Sequence, residues 1–452
     1  MASGKNHNAD EGASGFSIGA RPDWFLRRPV DTTSRNRDLD TSCETCSGSA
    51  RNKRMVSDRS MRTVVPGTTL LHAKRWAAKA GISEVREITS LDVLGVPVYV
   101  SVRPQARAEA FTFGKGLAPL EAEVGAYMEA LEFFFAEPET ARVATRWGTA
   151  RDVSGAHRAN DAILDFVPRL RRAVDLDGPL LLASARDLES GDGCAVPAEL
   201  IYYPAPDVGQ SLFGSSTNGL ASGNSVLEAS IQALLELIER DIWSFEFLRS
   251  SSRLVDPVSL PDEVREIVER AEQNGLELKV RTVPNDYNLP FFAAFIFDRS
   301  IPSRQTFNGG WACDLDRDRA LTRAVTEAAQ SRVAFIHGGR KVPTSQLPSS
   351  TDEEIKVVRR HMQRVSDSRQ QTSLNDIPDI AFAGTLEQKL EAVISRLRRV
   401  VQEPIYRVVL TPADSQLQVV RLVVPLLENL KENRVRVGRR LKAGIEALGA
   451  AA

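Results

Sequence analysis

The chain has 452 residues, with 58 basic and 59 acidic side chains and a net charge of -1. That length supports a substantial buried core, and a charge so close to zero gives no global field to gather nucleic acid or an anionic membrane surface. No apolar run reaches the roughly 18–20 residues that span a bilayer, the N-terminus has no apolar signal core, and four cysteines make no disulfide framework, so a cytoplasmic location is expected.

Residues 1–60 are rich in Ser, Asn, Asp, Gly and Arg and lack periodicity, the composition of a disordered extension. They hold one C-x-x-C, Cys43 and Cys46. A structural zinc site usually pairs two such half-sites, and no H-x-x-x-H follows, so zinc is not expected. Thr68–Ala80 reads as a helix capped by Thr68 or Thr69. Val85–Ile88 and Val96–Val102 read as strands, and Gly114-Lys115-Gly116 as a turn. Pro119–Phe135 has a helical period in Val124, Tyr127, Met128, Leu131 and Phe135. Short mixed elements follow from 140 to 210, with a strand near Glu199–Tyr203. A long helix is expected over Ser225–Leu248, strands at Glu277–Val283 and Phe291–Phe297, a turn at Gly309-Gly310 and a helix over Arg317–Ala334. Residues 339–379 are polar and read as an insertion or flexible segment with one helix, Asp352–Val365. Leu386–Val401, Ile405–Leu410 and Val419–Val424 supply a helix and two strands, and 431–452 a helical tail. The mixture predicts an α+β (mixed α/β) fold, with residues 61–430 as its main domain.

The long helix poses a chemical problem. On a 100° wheel with Asn224 at zero, Glu228 falls at about 40°, Glu239 at about 60°, Glu236 at about 120° and Arg240 at about 160°. The remaining sides carry Leu227, Ile231, Leu234, Leu237, Ile238 and Phe245. A helix apolar nearly all round is normally buried, and buried carboxylates are costly unless cations or donors meet them. Arg240 alone cannot neutralise three glutamates. Either the face is partly solvated and internally paired, or it serves a hard cation such as Mg²⁺, which takes a few carboxylates together with substrate phosphates. Two other helices repeat the theme. Glu129 and Glu132 are three apart, and Arg323 and Glu327 four apart, so each pair shares a helix face. Either could be an ordinary surface pair; three such helices together suggest one acidic pocket, with Arg240 and Arg323 available to phosphate oxygens.

These residues carry a resemblance. Asn218-Gly219-Leu220-Ala221, Gly223-Asn224, Glu228 and Glu236-Leu237-Ile238-Glu239-Arg240 resemble the signature of YcaO-domain proteins. Gly114-Lys115-Gly116 with Met128-Glu129-Ala130-Leu131-Glu132 is similar to their earlier motif, and Arg323 with Glu327 to a later one. The resemblance runs from about Arg62 to Arg332, more weakly to Pro425. It implies a mixed α/β fold with its own type of ATP site, in keeping with the lack of a G-x-x-x-x-G-K-[ST] P-loop in this sequence. It further implies a Mg²⁺-dependent enzyme in which a peptide amide oxygen attacks the γ-phosphate of ATP, usually after a nucleophile has added to the amide carbon, and phosphate then leaves. A Cys, Ser or Thr side-chain nucleophile gives an azoline, and external sulfide gives a thioamide. By motif position, Glu129, Glu132, Glu228, Glu236 and Glu239 would hold Mg²⁺. Asn224, Arg240, Arg323, Glu327 and Lys115 would belong to the ATP site.

There are departures. Gly125 stands where members often have a serine, and the early Lys and Ser of some members have no clear counterpart, Lys74 being a candidate. The P-x-P-x-P ending of many azoline-forming members is missing. Leu94-Gly95-Val96-Pro97-Val98, Arg103-Pro104 and Ala328-Ala329-Gln330-Ser331-Arg332 look most like members that work beside a TfuA protein. The expectation is therefore thioamidation of a ribosomally made precursor peptide (bacteriocin-type maturation) with a TfuA-like partner, no nucleic acid or membrane partner, and room for a homodimer. The alternatives are an azoline-forming cyclodehydratase and a non-catalytic protein that binds a peptide or partner. Cys194 and Cys313 are expected to be buried or incidental thiols.

Overall fold

The computed structural model describes residues 61–153, 162–303, 306–338, 351–430 and 436–451. Three sheets organise them. The first is antiparallel, in the order β1 (Glu84–Glu87), β2 (Val98–Val102), β3 (Phe111–Lys115). The second runs β4 (Thr145–Gly148), β5 (Leu180–Asp187), β13 (Tyr406–Val409), β14 (Gln418–Val423), β7 (Leu220–Gly223), and β6 (Gly193–Pro197) also pairs with β5. The third runs β11 (Asn308–Cys313), β10 (Phe291–Phe297), β9 (Glu277–Thr282), β8 (Arg253–Val255), β12 (Gln371–Thr372), with only the last pair parallel. The helices are α1 (Pro66–Ala77), α2 (Pro119–Ala136), α3 (Ala162–Asp165), α4 (Val226–Arg249), α5 (Asp262–Gln273), α6 (Arg317–Ile336), α7 (Asp352–Val365), α8 (Leu386–Leu397) and α9 (Arg439–Ala451). The mixed α/β architecture is the one expected.

β10 shows how the core is divided. All seven of its residues are buried, because alternate side chains leave opposite faces and both faces are covered. Phe291, Phe295 and Phe297 share a cluster with Ile231, Leu234 and Ile238 of α4, Val420 and Leu422 of β14, and Val393 and Leu397 of α8. Phe292, Ala294 and Ile296 face Val264 and Ile267 of α5 and Leu321, Ala324 and Ala328 of α6. Each large side chain so buried contributes about 1.5–3 kcal/mol. α4 therefore lies against two sheets at once, which explains its nearly all-round apolar surface. A third cluster joins α1 and α2 to the other face of the second sheet through Ala73, Leu131, Phe135, Leu182 and Val419.

Both glycine pairs expected as turns are partly or wholly within strands. Gly114 lies in β3 and Gly309-Gly310 in β11. The physical reason is close approach to a helix. A Cβ on Gly114 would stand 2.0 Å from the Ala122 carbonyl oxygen and 2.1 Å from Ala126 N, and one on Gly310 would stand 2.3 Å from both the Ala324 oxygen and Ala328 N. Gly125 completes the first contact, since its own Cβ would fall 3.1 Å from Gly114 Cα. Gly114→Ala is accordingly expected to lower stability by about 1–3 kcal/mol or more through overpacking; an unchanged denaturation midpoint would contradict this contact.

Other expectations are corrected. α1 begins at Pro66 with Val65 as its cap and no side-chain capping bond, so neither Thr68 nor Thr69 caps it. Thr69 is instead turned inward, its hydroxyl on Asn224 Oδ1 at 3.0 Å. Glu199–Tyr203 is not a strand: Ala198–Leu200 is a short 3₁₀ turn. There the buried Glu199 carboxylate gathers the amides of Leu212 and Phe213 at 2.7 and 2.9 Å and that of Gly214. In the polar 339–379 segment, α7 has the expected bounds. The residues after it are built into the fold, with β12 beside β8 and Leu374 buried. The readings for residues 1–60, including Cys43 and Cys46, lie outside the described residues.

The C-terminal helix is tied to α4 by charge. Asp241, 1 % exposed, accepts the Tyr287 hydroxyl at 2.5 Å, Glu428 N at 2.7 Å, and Arg440 Nη1 and Nη2 at 2.7 and 3.2 Å. Burial and the Asp241 charge push the Tyr287 hydroxyl well above its usual range. α9 thus grips α4 one residue beyond Arg240.

Candidate functional site

The outer edge of β3 is where two of the acidic helices meet. Glu129 of α2 accepts Phe113 N at 2.6 Å, while Gln330 of α6 donates to the Phe113 carbonyl at 2.7 Å. Two residues along, Lys115 reaches Glu327 of α6 at 2.8 Å. One turn further on α2, Glu132 accepts Ser222 N at 2.9 Å and the Ser222 hydroxyl at 2.6 Å, which docks it on β7. β7 leads directly into α4, whose first turn is capped by the Ser225 hydroxyl on Glu228 N. Backbone groups of two edge strands thereby fix where the carboxylates point.

On α4, Arg240 lies 3.3 Å from Glu239 and 3.9 Å from Glu236. Across from it, Arg323 of α6 lies against the Gln232 amide, whose oxygen is 3.1 Å from Nη1 once the amide is oriented to accept. Arg323 also lies 3.5 Å from the fully buried Asp314, which holds Arg319 at 3.1 Å. Glu228 and Asn224 form a second group at the start of α4. Asn224 donates to Glu228 at 3.1 Å, and Glu228 accepts Thr63 N and the Thr63 hydroxyl at 3.0 and 2.9 Å. From Glu228 to Glu239 the face extends eleven residues, about 16 Å, enough to hold more than one ligand along its length.

The charges are out of balance in one direction. Burial raises Glu132 to about 8; its bonds to Ser222 oppose this, and the carboxylates acting on it, Glu129 and Glu236, raise it further. Glu239 is also raised, by burial first and by Glu327 and Glu236, against the pull of Arg240 and Arg323. Glu327 goes the other way: burial would raise it, but Lys115, Arg240 and Arg323 hold it below its usual value. Glu132 and Glu239 are thus carboxylates for which the surrounding protein supplies too little positive charge.

That donor set fits Mg²⁺. Its ligands would be hard oxygens, and cations would relieve the repulsion among Glu129, Glu132, Glu236 and Glu239. Among the described residues, no three acidic, His or Cys groups are drawn close enough to form a ready-made metal cage. The carboxylates instead stand on separate helices, an arrangement suited to cations that complete their coordination with phosphate oxygens.

A pH dependence follows with a definite sign. A carboxyl raised in the folded state binds more protons there than in the unfolded chain, so stability of the metal-free protein falls as pH rises from about 4.5 towards 8. Mg²⁺ favours the ionised form, so its stabilising shift in thermal denaturation is expected to be larger near pH 8 than near pH 6. Equal shifts at the two values would contradict the assignment.

The structure brings Glu129, Glu132, Glu236, Glu239, Arg240, Lys115, Arg323 and Glu327 into one electrostatically connected group, and sets Asn224 and Glu228 at its end. Lys74 is engaged elsewhere, 2.9 Å from Glu123 and over the Tyr127 ring. Arg103 of the Arg103-Pro104 pair is buried on Ala80, Ala130 and Glu137. Burial raises Cys313 well above its usual value and Cys194 to about 11, as expected for thiols without a nucleophilic role. Sequence reasoning missed Gln232, although the same wheel places it at about 80°, between Glu239 and Glu236. Asp314, Ser222 and Thr63 had no pattern to reveal them; only the tertiary fold brings them in.

The profile of the family described as YcaO cyclodehydratase, ATP- and Mg²⁺-binding, matches residues 113–428. An uncharacterized protein of Methanothermobacter thermautotrophicus is 32% identical over 395 residues, covering 85% of this chain and 99% of its own. A protein of Rhizobium leguminosarum bv. trifolii, described as lying in the tfuA 3′ region, is 34% identical over 313 residues, 66% of this chain and 73% of its own. The structure of YcaO from Methanopyrus kandleri, bound with AMPPCP and Mg²⁺, superposes with a TM-score of 0.66 at 22% identity, covering 84% of this chain and 96% of that one. At that identity the likeness establishes the fold.

Proposed function

We propose, from the premise that this chain belongs to the YcaO family, whose members are described as ATP- and Mg²⁺-binding cyclodehydratases, that it activates backbone amides of a peptide by O-phosphorylation and converts them to thioamides. The observation that carries the reading is the cluster of carboxylates from α2, α4 and α6 facing Arg240, Arg323 and Lys115. Phosphoryl transfer needs positioning and charge neutralisation more than covalent chemistry from the protein, and these groups supply both.

In this reading Glu129, Glu132, Glu228, Glu236 and Glu239 would hold Mg²⁺, which would supply charge neutralisation for the phosphates of ATP. Arg240 and Arg323 bind phosphate oxygens, Arg323 in an orientation held by Gln232 and Asp314. Lys115 and Glu327 form a paired wall beside Arg240, and Asn224 closes the far end next to Glu228. A sulfide nucleophile would add at the amide carbon, the amide oxygen of the adduct would attack the γ-phosphorus and release ADP, and phosphate would then depart with that oxygen as the S–H proton is lost, leaving C=S. The thioamide assignment and a TfuA-like partner are supported by the Rhizobium relative described as lying in a tfuA 3′ region.

Azoline formation is the second reading, favoured by the family description as cyclodehydratase. Mass spectrometry of a peptide treated with the protein, ATP, Mg²⁺, a sulfide source and a TfuA-like protein separates the two. Thioamidation exchanges oxygen for sulfur, whereas azoline formation loses water. A product lacking added sulfur would overturn the thioamide assignment and leave the activation chemistry standing.

A further inference from the structure

A second concave region lies outside the acidic cluster. It is a cavity of about 360 Å³ between the C-terminal half of α1 and the loop joining β13 to β14, lined by His72, Arg75, Trp76, Lys79, Arg142 and Asp414, among others. That volume falls within the range of small-ligand sites. Three permanent cations, Arg75, Lys79 and Arg142, face one carboxylate, Asp414. Trp76 forms an aromatic wall; its ring stands 4.9 Å from Phe135 at a 75° angle and carries Lys79 Nζ 4.8 Å above it. The loop opposite is braced by Thr411 on Gln418 at 2.7 Å and by Gln418 on the Ser415 carbonyl at 2.7 Å. Basic side chains in the last turn of α1 also suit the helix dipole.

We propose that this cavity binds a carboxylate-bearing segment of the peptide substrate, holding it beside the reaction centre; the proposal rests on the peptide-modifying reading above. Arg142 offers a planar fork that matches a carboxylate, Arg75 offers a second whose Nη1 also donates to the lining Gln416, and Trp76 offers apolar ring surface to the adjoining residues. The position favours a long ligand over a free anion. Thr69 bonds Asn224 at the end of the acidic face, and His72 follows it by three residues, about 4.5 Å along the same helix. An extended chain anchored in the cavity has a short path to the amide-activating centre.

The test is binding of a fluorescein-labelled oligoglutamate peptide to the full chain, measured by anisotropy with and without Mg²⁺-ATP. An oligolysine peptide and inorganic phosphate serve as controls. Saturable binding of oligoglutamate alone is expected, weakened by salt and reduced about tenfold or more in the double variant Arg75→Glu, Lys79→Glu. Both side chains are exposed, so the fold is expected to survive, and Arg142→Glu provides an independent check from another element. Mg²⁺-ATP binding should be unchanged in all three proteins. Oligoglutamate binding that ignores these charge reversals, or is matched by free phosphate, would overturn the proposal. Competition by Mg²⁺-ATP would also overturn it, by making the cavity part of the nucleotide site. Loss of Mg²⁺-ATP binding in the unmutated protein would instead count against the activation chemistry, leaving the cavity to be judged on the peptide titration.

Discussion

Glu239→Gln is expected to fold normally and to lose Mg²⁺-ATP turnover about a hundredfold or more, the scale seen when one preorganised charge contact to a reacting phosphate or oxyanion is removed. The argument separates folding from function. Glu239 is 3 % exposed, and its ionised form is disfavoured by burial and by Glu327 and Glu236. A neutral amide of the same shape avoids that cost, so metal-free stability near pH 8 should be retained or raised. What disappears is the negative charge that holds a cation against the phosphates, while Arg240 keeps Glu236 as a neighbour. Stopped turnover with an unchanged or higher denaturation midpoint would fit this account. Full turnover in the variant would remove Glu239 from the centre, and a collapse of stability would make its role structural.

Arg440→Met is expected to have the largest effect on stability, about 3–5 kcal/mol, because it strips the cation from a buried ion pair and leaves the anion behind. Asp241 would keep the Tyr287 hydroxyl and Glu428 N as donors, but both guanidinium contacts would go. Chemical denaturation measures the loss. The double variant Asp241→Asn, Arg440→Met should recover part of it, since the stranded charge is gone. A single-variant loss under about 1 kcal/mol would mean that solvent takes over the role of Arg440.

Much of this was legible in the sequence, and the failures share a cause. The bounds of α7 and β10 matched because their patterns answer to one environment each: α7 is amphipathic, and β10 is apolar throughout because both its faces are covered. The acidic face of α4 was legible because a helical wheel needs only the sequence. The Gly114 and Gly310 positions misled because a glycine suits a turn and a strand pressed on a helix equally well; only the Ala122–Ala126 and Ala324–Ala328 backbones distinguish the two. Thr69 looked like a cap because its neighbours suggested a helix start, whereas Pro66 sets that start and frees Thr69 for Asn224. Ser222, Asp314 and Thr63 are 90, nine and 165 residues from the side chains they serve, and no local pattern encodes such pairings.

The central claim is that the acids of α2 and α4 are the metal-dependent part of an ATP site. Isothermal titration of ATP into the metal-free full chain, with and without Mg²⁺, beside the Glu236→Gln variant, tests it most directly. The account predicts binding that requires Mg²⁺ and is abolished by the substitution. Metal-independent binding, or Mg²⁺-dependent binding that survives Glu236→Gln unchanged, would contradict it.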